Sequence, residues 1–214
     1  MENQDQILQY TEFLNAINPP DVYGELIEYA KENHVPIMEP VGINFLCQIV
    51  QIQQPRCAIE IGTAIGYSAI RLAHVCPQMY IYTFERDADR VFQAKSNIQK
   101  FQLENRIRVM EGDALEISHC LPLGLHADLL FIDAAKGKSR QFFETYEPYL
   151  SENPLIVIDN ILFKGYIVSN EGLSRQKRSL VRKIKDFHQW MVQHPNYHTT
   201  VIPIGDGLAV CTRK

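Results

Sequence analysis

Ala58-Ile-Glu-Ile-Gly-Thr-Ala-Ile-Gly-Tyr-Ser68 is the stretch whose reading decides the fold. A short apolar run ends in an acid and a glycine, a second glycine follows four residues later, and a helical pattern begins. A buried parallel strand turns in this way over a ligand into a helix N-terminus. Gly62 can take a positive φ and admits an approach to the backbone that a Cβ would block. The pattern is not Gly-x-Gly-x-x-Gly, so it builds no pyrophosphate cradle and argues against a dinucleotide-dependent dehydrogenase.

Around this stretch a strand–helix rhythm extends downstream. Strand Cys57–Ile61 leads to helix Gly66–His74, and strand Tyr80–Phe84 to helix Asp87–Phe101. Strand Ile107–Met110 precedes a short polar segment. Strand Asp128–Ile132 leads to helix Ser139–Leu150, and strand Leu155–Ile158 to a long loop and helix Ser174–Gln193. Such alternation predicts a parallel sheet covered on both faces. The ending differs, because Gly205-Asp206-Gly207 separates His198–Ile204 from Leu208–Thr212 and signals an antiparallel hairpin.

Upstream, the spacing of Ile7, Leu8, Tyr10, Phe13 and Leu14 predicts a helix over Gln4–Ala16, ended by Pro19 and Pro20. A second helix is expected over Val22–Asn33. A proline-rich connection, Val35–Gly42, follows it and leads into a third helix, Ile43–Gln53. The expected organisation is one domain over residues 1–214, with a helical cap at 1–54 and an α/β core at 55–214.

The chain has 214 residues, 46% of them hydrophobic, enough for one substantial core. Its net charge of -4 argues against a protein that is basic throughout. The five cysteines are scattered, without a Cys-x-x-Cys pair, which fits reduced thiols better than a disulfide framework or zinc site. The N-terminus carries no basic, then apolar, leader pattern, and no apolar run reaches membrane-spanning length. The expected setting is cytoplasmic, away from membranes.

In an open α/β sheet, ligands bind beyond the carboxyl ends of the strands. The second strand ends in Glu85, 23 residues after Gly62, where a carboxylate can accept hydrogen bonds from vicinal ribose hydroxyls. Its bland alternative is a solvated acid before a helix that Asp87 caps. The third strand ends in Glu111-Gly-Asp113-Ala114. The fourth ends in Asp133-Ala-Ala-Lys136 and the fifth in Asp159-Asn160. Two adjacent strands thus bring two carboxylates and an amide oxygen to one edge, a hard-oxygen set that suits Mg²⁺. A lone strand-end Asp is often only a cap; an Asp beside an Asp-Asn pair is harder to explain that way.

The glycine turn resembles motif I of the class I S-adenosylmethionine (SAM) methyltransferases, in the form used by the catechol and caffeoyl-CoA O-methyltransferase group. Asp133, Asp159 and Asn160 match the metal triad of the cation-dependent members, and Lys136 matches their lysine three residues after the first ligand. The resemblance extends from about Pro36 to the C-terminus. It implies a Rossmann-like sheet of seven strands, five parallel units plus the antiparallel hairpin, with helices on both faces and an N-terminal helical extension. By the same resemblance, Met38 to Val41 cover the methionine end of SAM and Ser68 contacts its methionine moiety. Glu60 organises the loop behind the amino group, and Glu85 holds the ribose. Asp113 stands beside the adenine, with a neighbouring backbone N–H such as that of Ala114 on the ring. Asp133 borders both SAM and metal. Mg²⁺ would chelate two neighbouring substrate oxygens and acidify one hydroxyl, and Lys136 would take the proton or stabilise the oxyanion. A homodimer is also implied.

The acceptor is read from charge. Lys164, Arg175, Lys177, Arg178, Arg182, Lys183 and Lys185 lie within one span holding a single acid, Glu171. Arg175, Arg178 and Arg182 share a helix face, and Lys138 and Arg140 add to a basic rim. Such a stripe suits a phosphate backbone, although a solvated helix face is its ordinary explanation. The chain resembles the bacterial branch that contains tRNA 5-hydroxyuridine methyltransferases, whose wobble base offers a 5-hydroxyl beside the C4 oxygen. On that reading tRNA is the partner, Lys164, Arg175, Arg178 and Arg182 contact it, and Phe163, Tyr166 or Trp190 could stack on the base. The alternatives are a small-molecule catechol-type O-methyltransferase with the same metal site and a non-catalytic SAM- or RNA-binding module.

Overall fold

The structure is a computed structural model that describes residues 6–7, 9–10, 13–14, 21–169 and 172–214. Most of the helix expected over Gln4–Ala16 lies outside the described residues. Those described within it are helical, and Ile7, Tyr10, Phe13 and Leu14 are exposed.

Seven strands form one sheet in the order β3-β2-β1-β4-β5-β7-β6. They are β1 Cys57–Ile61, β2 Tyr80–Glu85, β3 Ile107–Glu111, β4 Ala127–Ile132, β5 Leu150–Ile158, β6 Tyr197–Ile202 and β7 Leu208–Arg213. The pairs among β1 to β5 are parallel, and β7 runs antiparallel to both β5 and β6. This is the class I methyltransferase sheet that the strand rhythm and terminal hairpin led us to expect. The helices are α1 Gly24–Glu32, α2 Pro40–Gln53, α3 Tyr67–Val75, α4 Ala88–Lys100, α5 Ser139–Tyr146 and α6 Arg175–Val192. Among the described residues, no helix is long and apolar enough to cross a membrane.

The sheet is buried on both faces, and its strands alternate between two cores. Ala58, Leu129, Phe131, Leu155 and Val157 face α1, α2 and α3. Ile59, Ile61, Leu130, Ile132, Ile156 and Ile158 face Phe142, Phe143 and Tyr146 of α5 and Phe187 and Met191 of α6. A period of two on a strand covered on both sides requires apolar residues at nearly every position, as these strands have.

Several boundaries differ from expectation for local reasons. Helix α2 begins at Pro40 rather than Ile43, because proline at the first helical position loses no needed hydrogen bond. Helix α5 ends at Tyr146, and a 3₁₀ turn containing Pro148 replaces its expected last turn. Strand β5 starts at Leu150 rather than Leu155. Asp87 and Ser174 act as side-chain N-caps of α4 and α6.

Candidate active site

The strand order reverses between β2-β1 and β4-β5, so a crevice opens at the carboxyl ends of β1 and β4. There the backbone steps outward in register. Gly62 N donates to Phe84 O, Asp133 N to Ile61 O, Asp159 N to Ile132 O, and Gly112 N to Glu85 O, all at 2.8–3.0 Å. These bonds set the strand-end residues side by side. Gly62 has φ +106°, and a Cβ there would lie 2.1 Å from Asp133 O, so the first turn closes against the fourth strand only with glycine.

A cavity of about 630 Å³ occupies this edge. Met38, Gly62, Glu85, Asp113, Ala114, Asp133, Lys136, Asp159, Asn160 and Lys164 line it. Val41 does not line it; it lies half-buried in the first turn of α2 while Met38 forms the wall. Glu60 and Ser68 lie behind the glycine turn. Ser68 Oγ donates to Glu60 Oε1 and Thr83 Oγ1 donates to Oε2, each at 2.5 Å. Burial pushes the Glu60 carboxyl up to about 7 despite those two donors. Glu60 therefore braces the turn from within the sheet.

Glu85 is tied into the site through both oxygens. Oε2 accepts from Ala64 N at 3.0 Å, and Oε1 accepts from Arg86 N and Asp87 N. Oε2 keeps a second acceptor site, so a hydroxyl donor can still be received there. Asp113 accepts from Leu115 N at 3.0 Å and pairs with Lys138 at 3.3 Å. The Leu115 N–H, with Lys138 behind it, holds the Asp113 carboxyl below its usual range.

At the other end, the carboxylates of Asp133 and Asp159 stand half-buried on adjacent strand ends of the cavity wall. Burial, then the charge of Glu60, pushes Asp133 up to about 6, and burial with the Asp133 charge pushes Asp159 up to about 8. Asn160, in the left-handed region at φ +61°, donates Nδ2 to Asp133 Oδ1 at 2.9 Å. Its Oδ1 accepts from Lys136 Nζ at 3.1 Å. Among the described residues, no group of three or more His, Cys, Asp or Glu side chains is placed to hold a metal. The set is two carboxylates plus an amide, all hard oxygen donors, which fits a magnesium-like cation.

Sequence reasoning missed three contributors. Arg86 and Arg90 line the cavity beside Glu85, and Asp206 lines its metal end together with Glu39, which lies within the expected 38–41 segment. Asp206 was read only as part of a hairpin turn. A neighbouring recess of about 390 Å³ shares Glu39, Asn160, Lys164, Gly205 and Asp206 with the main cavity and adds Leu162, Ile167 and Val168.

Of the other basic residues, Lys138 also lines the cavity, whereas the α6 row does not. Arg175, Arg178 and Arg182 are exposed along one face of α6 and, with Lys185, border a separate open recess. Helix α6 reaches the site through Leu180, whose Cδ1 lies 3.0 Å from where a Gly137 Cβ would stand, and through Lys177 Nζ, 5.0 Å from the Tyr166 ring centroid. Arg140 pairs with Glu144 and lies over the Trp190 ring, and Trp190 packs on Phe143 and Phe187. Of the three candidate stacking rings, Phe163 lies nearest the site, with Lys136 Nζ 5.2 Å from its centroid.

Comparison with known proteins agrees with this geometry. A profile of the O-methyltransferase family matches residues 16–214. The catechol O-methyltransferase of Mycobacterium tuberculosis is 30% identical over 162 residues, 74% of this chain and 70% of its own. A crystal structure from Staphylococcus aureus, of a protein provisionally assigned as a caffeoyl-CoA O-methyltransferase, superposes with a TM-score of 0.87 at 32% identity over 100% of both chains. An O-methyltransferase from Bacillus cereus, crystallised with S-adenosylhomocysteine, superposes with a TM-score of 0.81 at 26% identity over 96% of each.

Proposed function

Because the chain belongs to the SAM-dependent O-methyltransferases of the caffeoyl-CoA/catechol family, we propose that it moves the SAM methyl group to the 5-hydroxyl of 5-hydroxyuridine at the wobble position of tRNA, giving 5-methoxyuridine. One observation carries this acceptor: the exposed Arg175, Arg178 and Arg182 row, continued by Lys185, on a helix that packs against the Lys136–Lys138 turn. A row of cations beside the cavity suits a phosphate backbone whose base enters the site, and a small catechol has no use for it.

Asp133, Asp159 and Asn160 would hold Mg²⁺, which would supply a Lewis acid that lowers the pKa of the acceptor hydroxyl. The chain's own residues bind and orient. Gly62 lets SAM lie against the backbone, Glu85 receives the ribose hydroxyls, and Asp113 with Ala114 borders the adenine. Met38 walls the methionine end, while Ser68 and Glu60 hold the turn beneath it. Lys136 donates to one carboxylate and one amide oxygen, the contacts of an ammonium, which favours stabilising the oxyanion over taking its proton. The hydroxyl proton passes to solvent, the resulting oxyanion attacks the methyl carbon as the carbon–sulfur bond breaks and S-adenosylhomocysteine leaves, and the protein's contribution is alignment of the two. A second copy of the chain would cover the exposed Ile7, Tyr10, Phe13 and Leu14 row.

The second reading, a small catechol-type acceptor, is supported by the name of the Mycobacterium tuberculosis relative. Transfer from labelled SAM to tRNA and to a free catechol separates the two, using wild type and an Arg175, Arg178, Arg182 triple alanine variant. Loss on tRNA with transfer to catechol retained supports the tRNA acceptor. Equal transfer to catechol by both proteins, with none to tRNA, selects the second reading.

A further inference from the structure

Asp206 has no role in the reading above, yet its carboxylate is mostly buried, with the side chain 12% exposed, at the metal end of the cavity. It sits in the turn between β6 and β7, remote in sequence from every strand end that builds the site. Its Oδ2 accepts from Lys136 Nζ at 3.1 Å, and its Oδ1 accepts from Lys164 N. Its backbone oxygen accepts from Leu162 N at 2.8 Å, and Gly207 O accepts from Ile161 N at 3.1 Å. The hairpin is thereby fastened to the loop that follows Asp159 and Asn160. The fit is close: a Cβ at Gly207 would fall 2.3 Å from Leu162 Cγ.

We propose that Asp206 is a positioning residue for the methyl transfer. It holds the Lys136 ammonium against Asn160 Oδ1 and fixes the 161–164 backbone, so that Lys136 meets the acceptor oxygen in one orientation. The long lysine side chain has four rotatable bonds, and among the described residues its tip donates to two oxygens, of Asp206 and Asn160. The Phe163 ring lies on a third side. With Asp206 removed, one directional acceptor is lost and the ammonium is free to swing with the post-β5 loop. That loop holds Phe163 at φ 48° and Lys164 at φ 52°, conformations that side chains with a Cβ seldom adopt without external support. Asp206 supplies that support at the Lys164 N–H. The inference rests on O-methyl transfer by this site and not on tRNA as the acceptor.

The test is a kinetic cycle on the full-length protein with SAM, Mg²⁺ and either 5-hydroxyuridine-bearing tRNA or a free catechol. Asp206→Ala, Asp206→Asn, Lys136→Ala and the Asp206→Ala/Lys136→Ala double variant are compared. We expect Asp206→Ala to lower kcat about tenfold or more with the KM for SAM unchanged, since a misplaced reacting group costs rate rather than cofactor binding. Asp206→Asn, which keeps an acceptor for Lys164 N, should fall between Asp206→Ala and wild type. In the Lys136→Ala background the Asp206 substitution should cost nothing further. Independent, multiplying losses would overturn the proposal, as would a raised KM for SAM at constant kcat or unchanged kinetics. Should Asp206→Ala fail to fold, Asp206→Asn and its double with Lys136→Ala carry the same cycle. Loss of transfer to tRNA alone, with the Asp206 effect intact on catechol, would sink the tRNA acceptor and leave this proposal standing.

Discussion

Asn160 Nδ2 donates to Asp133 Oδ1 across 2.9 Å, joining the ends of two adjacent parallel strands in the cavity wall. Asp159 stands beside them, and burial with the neighbouring Asp133 charge raises its carboxyl to about 8. Two buried carboxylates in that state favour protons or a cation over being left bare.

A divalent cation should therefore stabilise the protein, and more so as pH rises. Carboxylates raised in the folded state bind more protons folded than unfolded, so the metal-free protein loses stability as pH climbs through the window between the two values. Mg²⁺ should raise Tm more at about pH 8 than at about pH 5, where protons compete for the same oxygens. Differential scanning calorimetry checks this. Asp159→Ala should remove the Mg²⁺ effect at both.

Glu60 provides a separate pH signature. Its folded value near 7 lies above its ordinary 4.5, so its contribution to stability falls as pH rises through that interval and is fully lost above it. Glu60→Gln should flatten the stability profile there, by up to about 3 kcal/mol. Urea titrations at several pH values check it; a parallel, unflattened profile would place the slope elsewhere.

Gly62→Ala should damage both fold and cofactor binding. The new Cβ would meet the Asp133 carbonyl at 2.1 Å, a backbone atom that cannot step aside, at a φ of +106°. Strain and overpacking together should cost about 3 kcal/mol or more, lowering Tm by roughly 6–12 °C. Calorimetric titration with SAM should show weakened binding. Unchanged Tm and SAM affinity would contradict the close approach.

The basic face of α6 predicts a salt dependence. If Arg175, Arg178 and Arg182 each neutralise one phosphate, their triple alanine variant should flatten the plot of log affinity for RNA against log salt by about 2 to 3. Fluorescence anisotropy over a salt series measures the slope. An unchanged slope would mean a solvated helix face.

Much of this site was legible because parallel strands end together, so a motif at each strand end maps onto one edge. Asp133, Asp159 and Asn160 follow from that rule alone, as do Glu85 and Asp113. Asp206 did not, because Gly205-Asp206-Gly207 has the composition of an ordinary turn and only the sheet order brings it beside Lys136. Val41 stands off the cavity for a local reason: Pro40 starts the helix three residues early, leaving Met38 as the wall residue. The start of β5 was hidden by Ser151-Glu-Asn-Pro154, a polar run that sheet pairing nevertheless draws into the strand. The charge pattern of α6 was plain in the sequence. That it opens on its own recess was not, since helix periodicity says which residues share a face and nothing about what that face adjoins.

The most direct measurement is the mass of the wobble nucleoside after reaction. Purified protein, SAM, Mg²⁺ and tRNA carrying 5-hydroxyuridine are incubated, the RNA is digested, and the nucleosides are resolved by mass spectrometry, with EDTA and Asp159→Ala as controls. The account predicts 5-methoxyuridine in the complete reaction and none in either control. Unmodified 5-hydroxyuridine in the complete reaction, or 5-methoxyuridine that forms equally with EDTA and with Asp159→Ala, would contradict it.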